Sequence, residues 1–381
     1  MERKYLKKFI PFVLILLLIS IMSGCGKDKI RKPQSIMDNP EHHTNNGNKY
    51  LEKGDLNKAF ESYDRALQLD PKYSPALVGT AVIYGMKGNY KAAFKQIDKA
   101  KGMEKQIGLI RLYSMERGKN WYEYVQDEFK KGIKLDPNNP ELWYYAGYAH
   151  KVNYNFDKSS EAYKKVLEIN KDFTEKANED WALVQRIQRA APGTAIGNKI
   201  ALIESIDRAD VAALFIEELK LDNLYEKKGV KNIDTSFKAP ETTKEFKTET
   251  VTKTAKVTDI TNHELKADIE NVINLGVRGL EVFPDHTFQA DKKITRVEYA
   301  VMIEDILIKI TGDETMATKF IGMNSPYLDV RNDHFAFNAI MTVTTRGILE
   351  AKTNGEFGME NPISGADALL AIRKLKEELK L

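Results

Sequence analysis

The chain has 381 residues, with 58 lysines and arginines against 55 aspartates and glutamates and a formal net charge of +3. So even a balance leaves no basic footprint of the kind a nucleic-acid binder needs, and no nucleic-acid partner is expected. Cys25 is the only cysteine, which excludes an intramolecular disulfide framework.

The first element is an amino-terminal leader. MERKYLKK is followed by the apolar run Phe9 to Met22 and then by SGCGKDK, which is a basic n-region, a short h-region and small residues before a cut. The run is shorter than the roughly 18 residues of a spanning helix. Residues 1–24 therefore read as a signal peptide. Met22-Ser23-Gly24-Cys25 resembles the bacterial lipobox, which implies that the Cys25 thiol is acylated and becomes the first residue of the mature protein. The other reading is an uncleaved anchor with an incidental cysteine. Acyl chains hold a protein to a bilayer at about 0.8 kcal/mol per buried CH₂. The resemblance implies an extracytoplasmic lipoprotein. With Gly26 after the cysteine, it implies the outer membrane facing the periplasm in a cell with two membranes, and otherwise the outer face of the cytoplasmic membrane. Loss of Arg3, Lys4, Lys7, Lys8 and Glu2 with the leader takes the formal charge to zero.

Residues 25–45 are polar, contain Pro33 and Pro40, and lack an apolar period, so they read as a tether. A period of 34 then sets in: Gly47, Tyr50, Gly54, Ala59, Tyr63 and Ala66 recur as Ala81, Tyr84, Gly88, Ala93, Ile97 and Ala100. Phe129 and Gly132 recur in the same way as Tyr163 and Val166. This pattern resembles the tetratricopeptide (TPR) repeat, whose small residues let paired helices pack closely. It predicts four repeats near 40–73, 74–105, 106–139 and 140–173. A capping helix follows on Ala177, Trp181, Val184 and Gln188 and stops at Pro192-Gly193, for a solenoid over 40–191. The stripe Trp143, Tyr144, Tyr145 and Tyr148 reads as inter-repeat core, with a peptide groove as the other reading. The solenoid surface is expected to take a protein partner of unknown identity.

Residues 231–256 are dense in Thr, Lys and Glu and read as a linker. Around it, three helices start alike, at Ile206-Asp207-Arg208, Ile294-Thr295-Arg296 and Ile363-Ser364-Gly365. Thr295 with Glu298 is a capping box, and Asp207 with Asp210 and Ser364 with Asp367 are its shorter versions; the preceding isoleucines act as staples. Arg208 and Arg296 take the first helical position, where a side chain is expected to point outward beside unpaired N–H groups that favour anions. Upstream, Asp259, His263, Gly276, Phe288 and Ile294 are matched by Asp329, His334, Gly347, Phe357 and Ile363 at offsets of 69 to 71.

Pro284-Asp285-His286-Thr287-Phe288 and Thr295-Arg296-Val297-Glu298 carry a resemblance to the S-layer homology (SLH) domain. The best copy covers 257–310, a divergent one 325–381 and a partial one 195–230. The resemblance implies a mostly α chain in which the TPR solenoid precedes a pseudo-threefold helical unit that binds cell-wall polysaccharide, often an acidic, ketal-pyruvylated one, or peptidoglycan in grooves between modules. Carried onto this chain, it makes Arg296 with Asp259 and Asp285 the leading glycan site and Arg208 a second. Gly365 in place of arginine implies a structural third.

The expectation is an envelope adaptor held by acylated Cys25 in a membrane and by SLH modules on the wall. The alternative is a TPR-based assembly or secretion chaperone with structural SLH-like modules. No Gly-x-Ser-x-Gly, His-Glu-x-x-His or phosphate-loop motif occurs, so neither enzyme nor cofactor is expected. His42-His43 lacks metal-ligand spacing and reads as part of the tether.

Overall fold

A computed structural model describes residues 30–230 and 257–381. The expected signal peptide, Cys25 and the expected linker lie outside the described residues. Those described form sixteen α-helices with three isolated β-bridges, and none of the helices is long and apolar enough to cross a membrane. They divide into two compact units, one up to Ala149 with Glu168–Phe173 and the other of His150–Leu167 with Thr174–Leu381.

The first unit opens with α1 (Pro40–Glu52) and α2 (Leu56–Leu69), then α3 (Ser74–Met86) and α4 (Tyr90–Ile97), and then α5 (Gly102–Glu116) and α6 (Trp121–Leu135). Asn39, Asp55 and Asn89 cap α1, α2 and α4 by accepting from the N–H three residues on. The recurring Gly54 and Gly88 take the left-handed turn between the paired helices, at φ 75° and 74°. Small residues matter because Tyr63 is fully buried, and a Cβ on either Gly47 or Gly79 would strike its ring. The 34-residue period is thus the spacing at which one aromatic fills the gap left by small residues on its neighbours. In the half-buried stripe of α7 (Pro140–Val152), Trp143 packs edge-on against Phe129 at 4.9 Å, and its indole N–H donates to the Pro137 carbonyl. Tyr144 and Tyr145 lie against Phe173, with ring centroids 5.1 and 5.9 Å away.

One expectation for this region is corrected. Residues 30–45 are not a free tether. The Arg31 N–H donates to the Gln68 carbonyl, and Asp38 collects the Arg31 guanidinium, the Gln34 N–H and the His43 ring at 2.7 Å each. The histidines sit on the first turn of α1, where His42 donates its N–H to the Asn39 cap.

The second unit contains α8 (Phe156–Ile169) up to Leu167, α9 (Thr174–Ala190), α10 (Ala195–Ile200), α11 (Arg208–Ala213) continued by a π-turn at Leu214–Glu218, and α12 (Leu221–Lys228). After residue 256 come α13 (Lys266–Asn274), α14 (Arg296–Thr311), a 3₁₀ turn at Glu314–Thr318, α15 (Phe337–Thr345) and α16 (Gly365–Glu378). The capping helix α9 packs along α16; Ile187 and Ala190 join the core that holds Val211, Tyr299 and Leu369, and Arg186 meets Asp367 at 3.2 Å. Trp181 donates to Ser160 and Asp180 pairs with Lys151, which ties α9 to residues before it as well. The division of the chain therefore falls near residue 150, inside the fourth expected repeat, and not at 191.

The three staple isoleucines close a ring. Ile206 N–H donates to the Ile363 carbonyl, Ile363 N–H to that of Ile294 and Ile294 N–H to that of Ile206, at 3.1, 2.9 and 3.1 Å. All three side chains are at most 1% exposed, and burial of each contributes roughly 1.5–3 kcal/mol. This is the pseudo-threefold centre that the S-layer homology resemblance implied.

Candidate functional site

Each repeated start behaves as a cap. Thr295 Oγ1 accepts from Glu298 N–H at 3.3 Å while Glu298 Oε2 accepts from Thr295 N–H at 2.8 Å. Against the upward push of burial, the Thr295 N–H and the Lys292 ammonium hold the Glu298 carboxyl below its ordinary value. Asp207 and Asp210 make the same reciprocal pair, but burial and the neighbouring Asp207 charge raise the Asp210 carboxyl to about 6. Ser364 caps α16 from Asp367 N–H and donates its hydroxyl to the Asp367 carboxylate.

The arginines do not point outward. Arg208 is 4% exposed, and its Nε, Nη1 and Nη2 donate to the carbonyls of Phe288, Gly279 and Glu281. Arg296 is 9% exposed, and its Nε and Nη2 donate to the carbonyls of Phe357 and Glu350 at 2.9 and 2.6 Å. Each guanidinium also lies over a phenylalanine, Arg208 over Phe288 at 4.5 Å and Arg296 over Phe357 at 4.9 Å. Burial pushes both guanidiniums below their ordinary value.

The helix N-termini are occupied as well. Arg208 and Ala209 donate their N–H groups to Lys292 and Ala290, Arg296 and Val297 to Asn361 and Met359, and Gly365 to Ile203. Each of these three helices thus has one or two of its leading amides covered by carbonyls from another part of the ring.

The expected grouping shifts by one module in consequence. Arg296 meets the loop at 350–357, and it is Arg208 that meets the loop bearing Asp285. Asp259 accepts from Phe288 and Gln289 N–H at 2.8 and 2.7 Å, so its carboxylate holds its own loop closed, as Asp329 does for Phe357, Gly358 and Met359. Asp285 is exposed and accepts from the N–H and hydroxyl of Thr287, which hold its carboxyl below the ordinary value. At Gly365 a Cβ would overlap the Ile200 carbonyl oxygen, so no arginine fits there.

Two grooves flank the buried arginines. One, of about 430 Å³, is lined by Arg296, Lys352, Asp367, Lys374 and two residues of α9, Arg186 and Arg189. The other, of about 350 Å³, lies at Arg208 between Val282, Phe283, Val301, Met302 and Phe335. Sequence reasoning passed over Arg186 and Arg189, whose signal was their i, i+3 spacing on one helix face. Arg296 differs from Arg208 in one respect: its Nη1 has no partner among the described residues.

Comparison with known proteins fits this geometry. Residues 47–93 match the family described as TPR repeat, and residues 326–369 match the S-layer homology domain. The chain carries both. Among curated proteins it is 30% identical over 96 residues to a cell surface glycoprotein 1 of Acetivibrio thermocellus, covering 25% of this chain and 4% of that protein. It is 25% identical over 154 residues to a TPR repeat-containing protein of Methanocaldococcus jannaschii, covering 37% of this chain and 27% of that one. The chain thus spans under a third of the length of either relative. The SLH match falls on the 325–381 module; the module at 257–310 repeats its framework of aspartate-held loop, left-handed glycine turn and capped helix.

Proposed function

We propose that this protein is a cell-envelope adaptor: its SLH unit binds a wall polymer, its TPR repeats hold a protein partner, and acylated Cys25 fixes it to a membrane. The observation that carries the wall-binding part is the cationic groove at Arg296 within a three-module unit whose last module matches the SLH family. The TPR match and the 34-residue packing period support the scaffold part. The lipid anchor rests on Met-Ser-Gly-Cys directly after an apolar run of signal length. No catalytic role is proposed.

The chaperone reading, in which the SLH-like modules are structural, draws support from the burial of Arg208 and Arg296 on backbone carbonyls. Sedimentation of the full chain with purified wall sacculi, before and after extraction of their secondary polymers, separates the two. Retention that disappears with the polymers supports the adaptor; no retention leaves the chaperone. Membrane fractionation of Cys25→Ser tests the anchor, since release into the soluble fraction is expected, and retention with an intact leader points to the uncleaved span.

A further inference from the structure

We propose that Arg186 and Arg189, on a helix that precedes the three modules and belongs to none of them, are specificity-determining residues of the Arg296 groove and read the charge of the acidic polysaccharide that the resemblance implies as its ligand. The proposal deepens the wall-binding reading and rests on it.

Two grooves occupy equivalent places beside equivalent arginines, yet their walls are opposite in character. At Arg208 the wall is mostly aliphatic and aromatic, its Lys292 is balanced by Glu281 and Glu298, and all three guanidinium nitrogens are taken by carbonyls. At Arg296 the groove carries five cationic side chains against Glu350 and Asp367. A cationic wall is therefore not something the fold requires. Two of its five cations, Arg186 and Arg189, come from outside the three modules, because α9 precedes all of them in the chain.

The cations differ in how far they are already satisfied. Arg186 is held at 3.2 Å by Asp367, and Lys374 by Glu377 at 2.9 Å. Arg189 is exposed and makes no ion pair among the described residues, and Arg296 keeps Nη1 unpartnered. An arginine fork presents two parallel donors to a carboxylate or a phosphate oxygen pair. Cations lining one groove lie within about a Debye length, roughly 8 Å at physiological salt, so their fields add at an anion placed between them. Asp259 and Asp285 are spent on their own loop amides and offer an anionic polymer nothing.

The test is titration of the full chain with polygalacturonate, a glycerol-phosphate teichoic acid and neutral dextran, alongside sedimentation with intact sacculi. Wild type is expected to bind at least one anionic polymer well above dextran, and the arm that binds tells carboxylate from phosphate. Arg189→Gln is expected to lose about tenfold in affinity, the size of one charge-assisted hydrogen bond, with an unchanged melting temperature. Arg186→Gln/Arg189→Gln is expected to lose more. Arg373→Gln, an exposed change of the same charge on α16 outside the groove, is expected to bind like wild type. Equal binding by Arg189→Gln and Arg373→Gln overturns the proposal, as does anionic binding no better than dextran. Sacculus binding that survives both arginine changes overturns the proposal and leaves the wall-binding reading standing. Polymer binding that needs Arg189, without sacculus binding, keeps the groove assignment and removes the wall as its target.

Discussion

Replacing Arg296 by alanine tests whether the repeated motif is built for ligand or for fold. An arginine at the first turn of a helix normally contributes little to stability. Here it is 9% exposed and bridges α14 to the carbonyls of Glu350 and Phe357 on another module. Hydrogen bonds from a charged donor contribute about 1.5–3 kcal/mol each, and their loss leaves two carbonyls short of a partner. Two terms reduce the sum: the burial penalty on the guanidinium disappears, and water from the adjoining groove reaches the orphaned carbonyls. The net expectation is a loss of about 3 kcal/mol, against about 1 kcal/mol for Thr295→Ala through the lost cap. For a unit of this size that is a drop of roughly 6–12 °C against 2–4 °C. Arg296→Lys keeps the charge but cannot span two carbonyls, and should fall between. Thermal and urea unfolding of the three purified variants read all of this directly. An Arg296→Ala protein that melts with wild type, while Thr295→Ala melts early, would refute the burial argument and return the guanidinium to solvent.

Three further outcomes follow from particular residues. Asp210 has its carboxyl raised from about 3.8 to about 6, so its contribution to stability is fully present below pH 4 and is lost as the pH rises through 6; Asp210→Asn, which still accepts from Asp207 N–H, should gain about 1 kcal/mol at pH 7.5 and nothing at pH 4. A gain independent of pH would count against this account. Gly365→Ala should cost about 3 kcal/mol or more because its Cβ meets the Ile200 backbone, and an unchanged melt would mean that the turn at 200–203 yields freely. His286 sits at φ 62° where the third module has Gly355 at 84°, so His286→Gly should raise stability by about 0.5 kcal/mol in a urea titration, and a loss would show that the imidazole makes up for its strain.

The parts of the fold legible in the sequence are those written within a few residues. A capping box needs partners three apart, and Thr295 with Glu298 and Asp207 with Asp210 are found as the letters imply. The 34-residue period was legible because each repeat sets its own small and aromatic positions, down to Tyr63 against Gly47. The direction of the arginines was not. A first-turn side chain points to solvent unless something covers it, and the cover is a loop 54 to 61 residues further on in the case of Arg296. Asp259 recurs as Asp329, but its two amide partners 29 and 30 residues away give it a structural task that a one-letter match cannot distinguish from a ligand contact. The segment at 30–39 looked unstructured by composition because it is held by polar contacts, Arg31 and His43 on Asp38, and not by apolar burial.

The helix Thr174–Ala190 brings these threads together. A solenoid needs a terminal helix with one apolar face and one polar face, and the sequence supplies both. The polar face of such a cap ordinarily meets water. In the structure Ile187 and Ala190 lie in the core of the three-module unit and Arg186 reaches the first turn of α16, so part of the helix surface is covered by that unit. Where the helix borders the Arg296 groove, Arg189 is exposed and Arg186 half-buried. The same two charges that would make a solubilising cap therefore stand where a ligand of the three-module unit would lie. A polar cap asks only for hydrophilic side chains; a binding wall asks for one sign of charge with donors left unpaired. Arg189 has the second character, and that distinction, not the recurrence of the Thr-Arg-x-Glu letters, is what singles out one of the two grooves.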